Sequence, residues 1–197
     1  MSTDIRQVGS DADLTRIGEL ISRSFDHLGA NHYLVPDEQQ RLRVMGDYFG
    51  LLARYAAEGA GQVHVTGDGT AAAVWFDRTG EGDLPEYEKL LAAAAGEFLP
   101  QFQQLDEVFD ANHPTEAHWH LAFLAVLPEH WGKGIGTALM NHTHRRLDAE
   151  GVAAYLEATN AQNVSLYRRH GYADMDPFVI HVSHVPFYRM WRPANPA

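Results

Sequence analysis

Three glycines at alternate positions, Gly132, Gly134 and Gly136, stand between a nearly continuous apolar run and a stretch of helical periodicity. Residues 118–126 (HWHLAFLAV) have the length and apolar content of a central strand, ended by Leu127 and Pro128. From Gly134 or Ile135 to Glu150, residues Ile135, Ala138, Leu139, Thr143 and Leu147 recur on one side of a helix that Gly151 closes. Strand, glycine turn and helix in that order call for an α/β arrangement and for an anion site. The first N–H groups of a helix have no intrahelical acceptor, the helix dipole favours negative charge there, and glycine lets a ligand approach the backbone. Lys133 adds a cation at the rim, and no acid lies between Trp131 and Leu147 in a chain of formal net charge −11.

Two familiar phosphate loops fail on these residues. The dinucleotide fingerprint requires a glycine three positions after its second glycine, where this chain has Thr137 or, counted from the later pair, Leu139. The P-loop requires Gly-Lys followed by Ser or Thr, and Gly132-Lys133 is followed by Gly134. A purely structural reading remains, in which the glycines only make a tight turn.

The rest of the chain alternates strand and helix patterns. Residues 4–8 read as a short strand, and Ser10 to Asp13 as a helix cap before Leu14, Ile17, Leu20, Ile21 and Phe25. A loop is expected over residues 29–33, then a helix opening near Pro36, with Leu42, Met45, Phe49 and Leu52 as its buried stripe. Residues 62–66 and 71–76 flank Gly67-Asp68-Gly69 as an antiparallel hairpin. Between Leu84 and Phe109 the pattern is helical, with a break expected at Pro100. Residues 153–158 read as a strand, 162–170 as a short helix ended by Gly171, and the remainder is β-rich to Trp191.

The length of 197 residues fits one domain spanning 1–197. The absence of cysteine removes disulfides, thiolate metal sites and a cysteine nucleophile. No apolar run approaches the roughly 20 residues of a membrane span, and residues 1–6 lack a signal-peptide core, so a cytoplasmic location is expected. The negative charge argues against nucleic acid or acidic membrane as partner. It mildly favours a cationic substrate, although it also simply promotes solubility.

The run from Val126 to Leu139, with Trp131-Gly132-Lys133-Gly134-Ile135-Gly136-Thr137 at its centre, resembles the acetyl-CoA signature of the GNAT superfamily of N-acetyltransferases. Leu156-Glu157-Ala158-Thr159-Asn160 and Leu166 to Tyr172 resemble that family's second segment, in the right order and spacing. Within the superfamily, the motif region is most similar to members related to puromycin N-acetyltransferase. The close likeness runs from about Trp119 to Tyr172, and Trp131 stands where the family usually has Gln or Arg.

The resemblance implies a mixed α/β fold with a central mixed, twisted sheet flanked by helices and splayed where acetyl-CoA inserts. It also implies transfer of acetyl from acetyl-CoA, as co-substrate, to a primary amine of a small molecule by direct attack. Backbone groups of Leu124, Ala125 and Val126 would line the pantetheine arm, and Trp131 with residues 132–137 would hold the pyrophosphate. Tyr167 would protonate the departing thiolate; Asn160 and Asn163 would contact the coenzyme or cap their helix. For the base, His120 and Glu157 compete, and a chain of waters is the third option. His118 and His120 alternate onto one strand face, but His142 and His144 diverge on a helix, so no metal is expected. Phe25, Asp26 and Tyr33 form the expected acceptor wall, with Asp26 meeting an ammonium, while Phe187, Tyr188 and Trp191 either close the pocket or fill a sheet face. A homodimer is compatible with this reading. Two alternatives stay open: an acyl-CoA-binding sensor or scaffold without turnover, and a peptide or protein acetyltransferase with an open groove.

Overall fold

A computed structural model describes residues 3–59, 61–80, 85–180 and 185–194. Its first half runs β1 (Ile5–Gln7), α1 (Asp11–Phe25), α2 (Gly29–Leu34), α3 (Glu38–Glu58), β2 (Gly61–Thr66), β3 (Ala71–Arg78), α4 (Tyr87–Ala95) and α5 (Leu99–Asn112). Its second half runs β4 (His118–Val126), α6 (Ile135–Glu150), β5 (Ala154–Ala158), α7 (Ala161–Arg169), β6 (Ala173–Asp174), β7 (Phe178–Ile180) and β8 (Val185–Arg192). The strands lie in the order β1-β2-β3-β4-β5-β8-β6, with β7 beside β8. The pair β4–β5 is parallel and its neighbours in the sheet are antiparallel. The sheet is therefore mixed and covered by helices on both faces, the fold that the sequence implies.

Strand β3 is buried on both sides. Ala72, Val74 and Phe76 belong to the core built with α1, α3 and α5, whereas Ala71, Ala73 and Trp75 belong to the core built with α6. In β4 the parity changes midway. Trp119 and Leu121 pack on the α6 side, and further along it is Leu124 and Val126 that do so. A single residue causes the switch: Trp75 partners Leu121 and Val74 partners Phe123, which leaves Ala122 as a bulge. Ahead of the bulge, His118 and His120 occupy the face opposite Trp119 and Leu121; beyond it, Phe123 and Ala125 do.

Helix α1 starts where its cap demands. The Asp13 N–H donates to Ser10 Oγ at 3.3 Å, and the Ser10 hydroxyl donates back to Asp13 Oδ2 at 2.8 Å. Helices α1 and α3 cross at glycines, and a Cβ on Gly18 would lie 2.3 Å from the Gly46 carbonyl oxygen. No side chain fits between the two backbones there.

Three sequence expectations need correction. Residues 29–33 belong to α2, which buries Ala30, Asn31 and Leu34 and is too short to display a period. In α3, Leu42 is 47% exposed, and the buried stripe is Arg41, Val44, Met45, Tyr48 and Phe49. The stripe is rotated because Arg41 turns inward to Asp26 and the Val35 carbonyl. The helix break falls at Gly96, whose φ is 55°, and not at Pro100. Pro100 sits in the first turn of α5, where its missing N–H costs nothing. Leu84, the expected start of that helical stretch, lies outside the described residues. Among the described residues no helix is long and apolar enough to cross a membrane.

Candidate active site

Strands β4 and β5 pair at Trp119 with Ala154, His120 with Tyr155 and Leu121 with Leu156. Yet β4 continues to Val126 and β5 to Ala158, so the two strands part at the Ala122 bulge. The ladder on the other edge of β4 tells which backbone groups face the gap. The Leu127 N–H donates to the Thr70 carbonyl at 3.0 Å. By alternation Ala125 also turns its backbone groups to β3, and Leu124 and Val126 turn theirs to the open edge. The Val126 carbonyl is accordingly free of β3 and accepts the Trp131 Nε1–H at 2.7 Å. Of the three residues expected along the pantetheine arm, Leu124 and Val126 turn their backbone groups to the gap and Ala125 turns its own to β3.

The glycine turn closes one end of this gap. Gly132 and Gly134 have φ of 73° and 77°, a left-handed conformation that costs other residues roughly 1–2 kcal/mol. Gly134 is the N-cap of α6 and provides no side-chain acceptor, so the N–H groups of Ile135, Gly136 and Thr137 are available to a ligand. Gly136 rests on the open-edge residues: a Cβ there would meet Leu124 Cδ2 at 3.6 Å and Val126 Cγ2 at 3.9 Å. Lys133 Nζ donates to the Glu129 carbonyl at 3.0 Å, and the Thr137 hydroxyl lies 3.4 Å from His170 Nε2. Trp131, 53% exposed, bridges to the α1–α2 connection by an edge contact with His27, ring centroids 5.3 Å apart.

On the face carrying His120, a cavity of ≈ 390 Å³ opens beside the parted strands, lined by Phe25, Leu124, His113, Glu157, Asn163 and Tyr167 among others. Glu157 Oε2 accepts from His120 Nε2–H at 2.8 Å, with the Glu157 side chain only 4% exposed. Burial pushes its carboxyl upward, but the neighbouring His120 imidazole and the Tyr155 hydroxyl outweigh that and hold it below the usual carboxylate range. The two competitors for the base are therefore hydrogen-bonded to each other. Burial pushes the Tyr167 hydroxyl up to about 12, so it stays protonated at neutral pH. Asn160 caps α7, its Oδ1 accepting from Asn163 N–H at 2.9 Å, while Asn163 itself lines the cavity.

The expected acceptor wall is brought together in part. Phe25 lines the cavity; Asp26 and Tyr33 do not. The Asp26 carboxylate is taken by Arg41 Nε at 3.0 Å, and the Tyr33 hydroxyl donates to Gln104. The acid on the cavity wall is instead Asp106 of α5, which accepts from the Tyr87 hydroxyl at 2.8 Å and is raised by burial to about 6. Its signal in the sequence is an acid on the same helical face as Phe102 and Phe109, four and three residues away respectively. Phe187 lines the cavity, whereas Trp191 packs on His118 and Tyr155 across the sheet. His113, which sequence reasoning passes over, also reaches the cavity, and nothing in its local pattern marks it. Among the described residues no group of three or more His, Asp or Glu is arranged to hold a metal ion.

Residues 70–172 match the family model of the acetyltransferase (GNAT) family. The whole chain superposes on a Corynebacterium glutamicum structure described as histone acetyltransferase HPA2 and related acetyltransferase. That match has a TM-score of 0.72 and 24% identity, and covers 100% of this chain and 99% of the other. The PaiA N-acetyltransferase of Thermoplasma acidophilum, solved in complex with coenzyme A, is similar at a TM-score of 0.57 and 12% identity, over 98% and 99% of the two chains. Arylalkylamine N-acetyltransferase 2 from Aedes aegypti is similar at a TM-score of 0.59 and 13% identity, over 99% and 100%.

Proposed function

Because the chain belongs to the GNAT acetyltransferase family, we propose that it transfers acetyl from acetyl-CoA to the primary amine of a small molecule by direct attack. The observation that carries this reading is the shared cavity: Glu157, His120, Tyr167 and the open-edge residue Leu124 all line it.

The parts divide the work as follows. The N–H groups of residues 135–137 hold the pyrophosphate, and the open edge at Leu124 and Val126 offers ladder-like bonds to the pantetheine amides. Bound there, acetyl-CoA supplies the thioester. Glu157, supported by His120, takes a proton from the acceptor ammonium. The amine nitrogen then bonds to the thioester carbonyl carbon, the carbon–sulfur bond breaks, and Tyr167 delivers a proton to the sulfur and takes back the second proton that the nitrogen sheds as the amide forms, while the proton held by Glu157 passes to solvent. Charge balance requires that one proton leave per turnover, since an ammonium enters and a neutral amide and a thiol leave.

A small acceptor suits the enclosure. A volume of ≈ 390 Å³ lies within the roughly 300–1,000 Å³ range of small-molecule pockets. Phe25, Phe49, Phe109 and Phe123 give it an apolar, ring-sized wall, and Asp106 adds a second acid for a cationic substituent. The test is to incubate the protein with acetyl-CoA and a panel of amines, aminonucleosides and peptides, following thiol release. Small amines are expected to be acetylated faster than peptide N-termini; peptide turnover alone would overturn the small-molecule reading.

A further inference from the structure

His113 follows α5 directly and lines the cavity beside Glu157. Its Nδ1 is 4.0 Å from Glu157 Oε1, and its Nε2 is 3.2 Å from His118 Nε2. On the far side, His118 Nδ1 lies 2.6 Å from the Glu116 carbonyl oxygen. These contacts fix the protons on both rings. A carbonyl oxygen only accepts, so the hydrogen of neutral His118 sits on Nδ1 and its lone pair on Nε2. His113 Nε2–H must then donate to that lone pair. A neutral His113 is left with its own lone pair on Nδ1, the atom facing Glu157. Burial favours neutral rings, depressing His113 to about 3 and His118 in the same direction.

Across from that lone pair, Glu157 Oε1 is buried without a hydrogen-bond partner among the described residues, while Oε2 is engaged by His120. Two acceptors thus face one another across 4.0 Å, and Oε1 has no hydrogen-bond partner among the described residues, the Tyr155 hydroxyl being the neighbouring donor on the protein side. A buried acceptor left unpaired is costly, and a nitrogen about 2.9 Å from each atom spans this separation.

We propose that the gap between His113 Nδ1 and Glu157 Oε1 seats the primary ammonium group of the acceptor, with His113 as a substrate-binding residue of the reaction. This assignment rests on the acetyl-transfer reading. A primary ammonium has three N–H bonds. One is directed to Glu157 Oε1 and is the proton that Glu157 removes; a second is directed to His113 Nδ1 and stays there while the nitrogen lone pair attacks. The gap requires two N–H donors, which tertiary and quaternary ammonium groups lack, so the site rejects fully alkylated nitrogen. His118 is a positioning residue, acting by holding the His113 tautomer.

The probes are 2-phenylethylammonium, chosen for the phenyl-lined cavity, and its N,N,N-trimethyl counterpart, titrated calorimetrically into the protein saturated with coenzyme A. The primary ammonium is expected to bind at least about tenfold more tightly than the trimethyl compound, the worth of a hydrogen bond to a charged group. His113→Phe is expected to lose that difference while keeping a cooperative melt and its acetyl-CoA affinity, and His113→Gln, which retains an acceptor, to recover part of it. Nitrogen-15 spectra of histidine-labelled wild type, which need no variant to fold, should show His113 protonated at Nε2 and His118 at Nδ1. Equal binding of the two probes, no binding of either, unaltered selectivity in His113→Phe, or the opposite tautomers would each overturn the assignment. Thiol release with the wider amine panel reports separately on acetyl transfer itself, so the two failures are distinguishable.

Discussion

His120 Nε2 lies 2.8 Å from Glu157 Oε2, a bond between β4 and β5 set at the point where the two strands stop pairing. The Ala122 bulge that parts the strands also fixes which side of β4 faces the cavity. One backbone irregularity thus opens the gap between β4 and β5 next to the His120–Glu157 pair.

Glu157→Gln keeps the size of the side chain and removes its basicity. Turnover is expected to fall by about 10²–10⁴-fold, the usual contribution of a general base, with acetyl-CoA affinity within a few-fold of wild type. Steady-state kinetics and a direct binding titration check the two halves of this statement. A variant retaining a tenth of the rate would assign the base elsewhere.

Tyr167→Phe removes the proton held for the sulfur but not the packing of the ring against Tyr172, 6.1 Å between centroids. The maximal rate is expected to drop by tenfold or more while the KM for acetyl-CoA changes little. An unchanged rate would take Tyr167 out of the mechanism.

Two glycine substitutions separate coenzyme binding from folding. Gly134→Ala forces a Cβ into a φ of 77° at the start of α6. It is expected to raise the KM for acetyl-CoA while lowering stability by about 1–2 kcal/mol. Gly18→Ala places a Cβ 2.3 Å from a backbone oxygen at the α1–α3 crossing, and is expected to cost about 1–3 kcal/mol in denaturant melts with little direct effect on coenzyme affinity. The reverse pattern would contradict the placement of both residues.

Stability should decline on acidification. Burial lowers His64 to about 4 and His113 and His144 to about 3. The unfolded chain takes up protons on these rings from about pH 6.5 downward and the folded chain only well below that, so their contribution is complete above pH ~6.5 and lost as pH falls toward the folded values. Asp106, raised to about 6 from 3.8, acts in the opposite sense between those limits, one carboxyl against three imidazoles. Calorimetric melting temperatures should therefore be nearly constant from pH 7.5 to about 6.5 and fall from there to pH 4.5; a flat profile throughout would show these rings to be solvated.

What the sequence reveals and what it hides follow from the range of the interactions involved. The glycine turn, α6 and the Ser10 cap are legible because their chemistry is local: positive φ, a helix start, a short-range hydrogen bond. The Ala122 bulge is not, because only pairing against Val74 and Trp75 creates it, and so the direction of the Ala125 backbone, toward β3, is hidden as well. Asp26 reads as free to meet an ammonium until the fold brings Arg41 to it from the next long helix. His113 is silent for the same reason. Its partners His118 and Glu157 belong to other elements, and only the packing of α5 against the sheet joins them.

Central to the proposed function is the cleavage of acetyl-CoA by an amine in the β4–β5 gap with Glu157 as proton acceptor. The most direct measurement is a thiol-release time course with acetyl-CoA and the panel of primary amines, run side by side on wild type and Glu157→Gln, with the N-acetylated product quantified. The expected result is equimolar thiol and acetylamine from wild type, and at least a hundredfold slower release from a variant that still binds acetyl-CoA. Tight acetyl-CoA binding with no thiol release in the presence of any amine would contradict it.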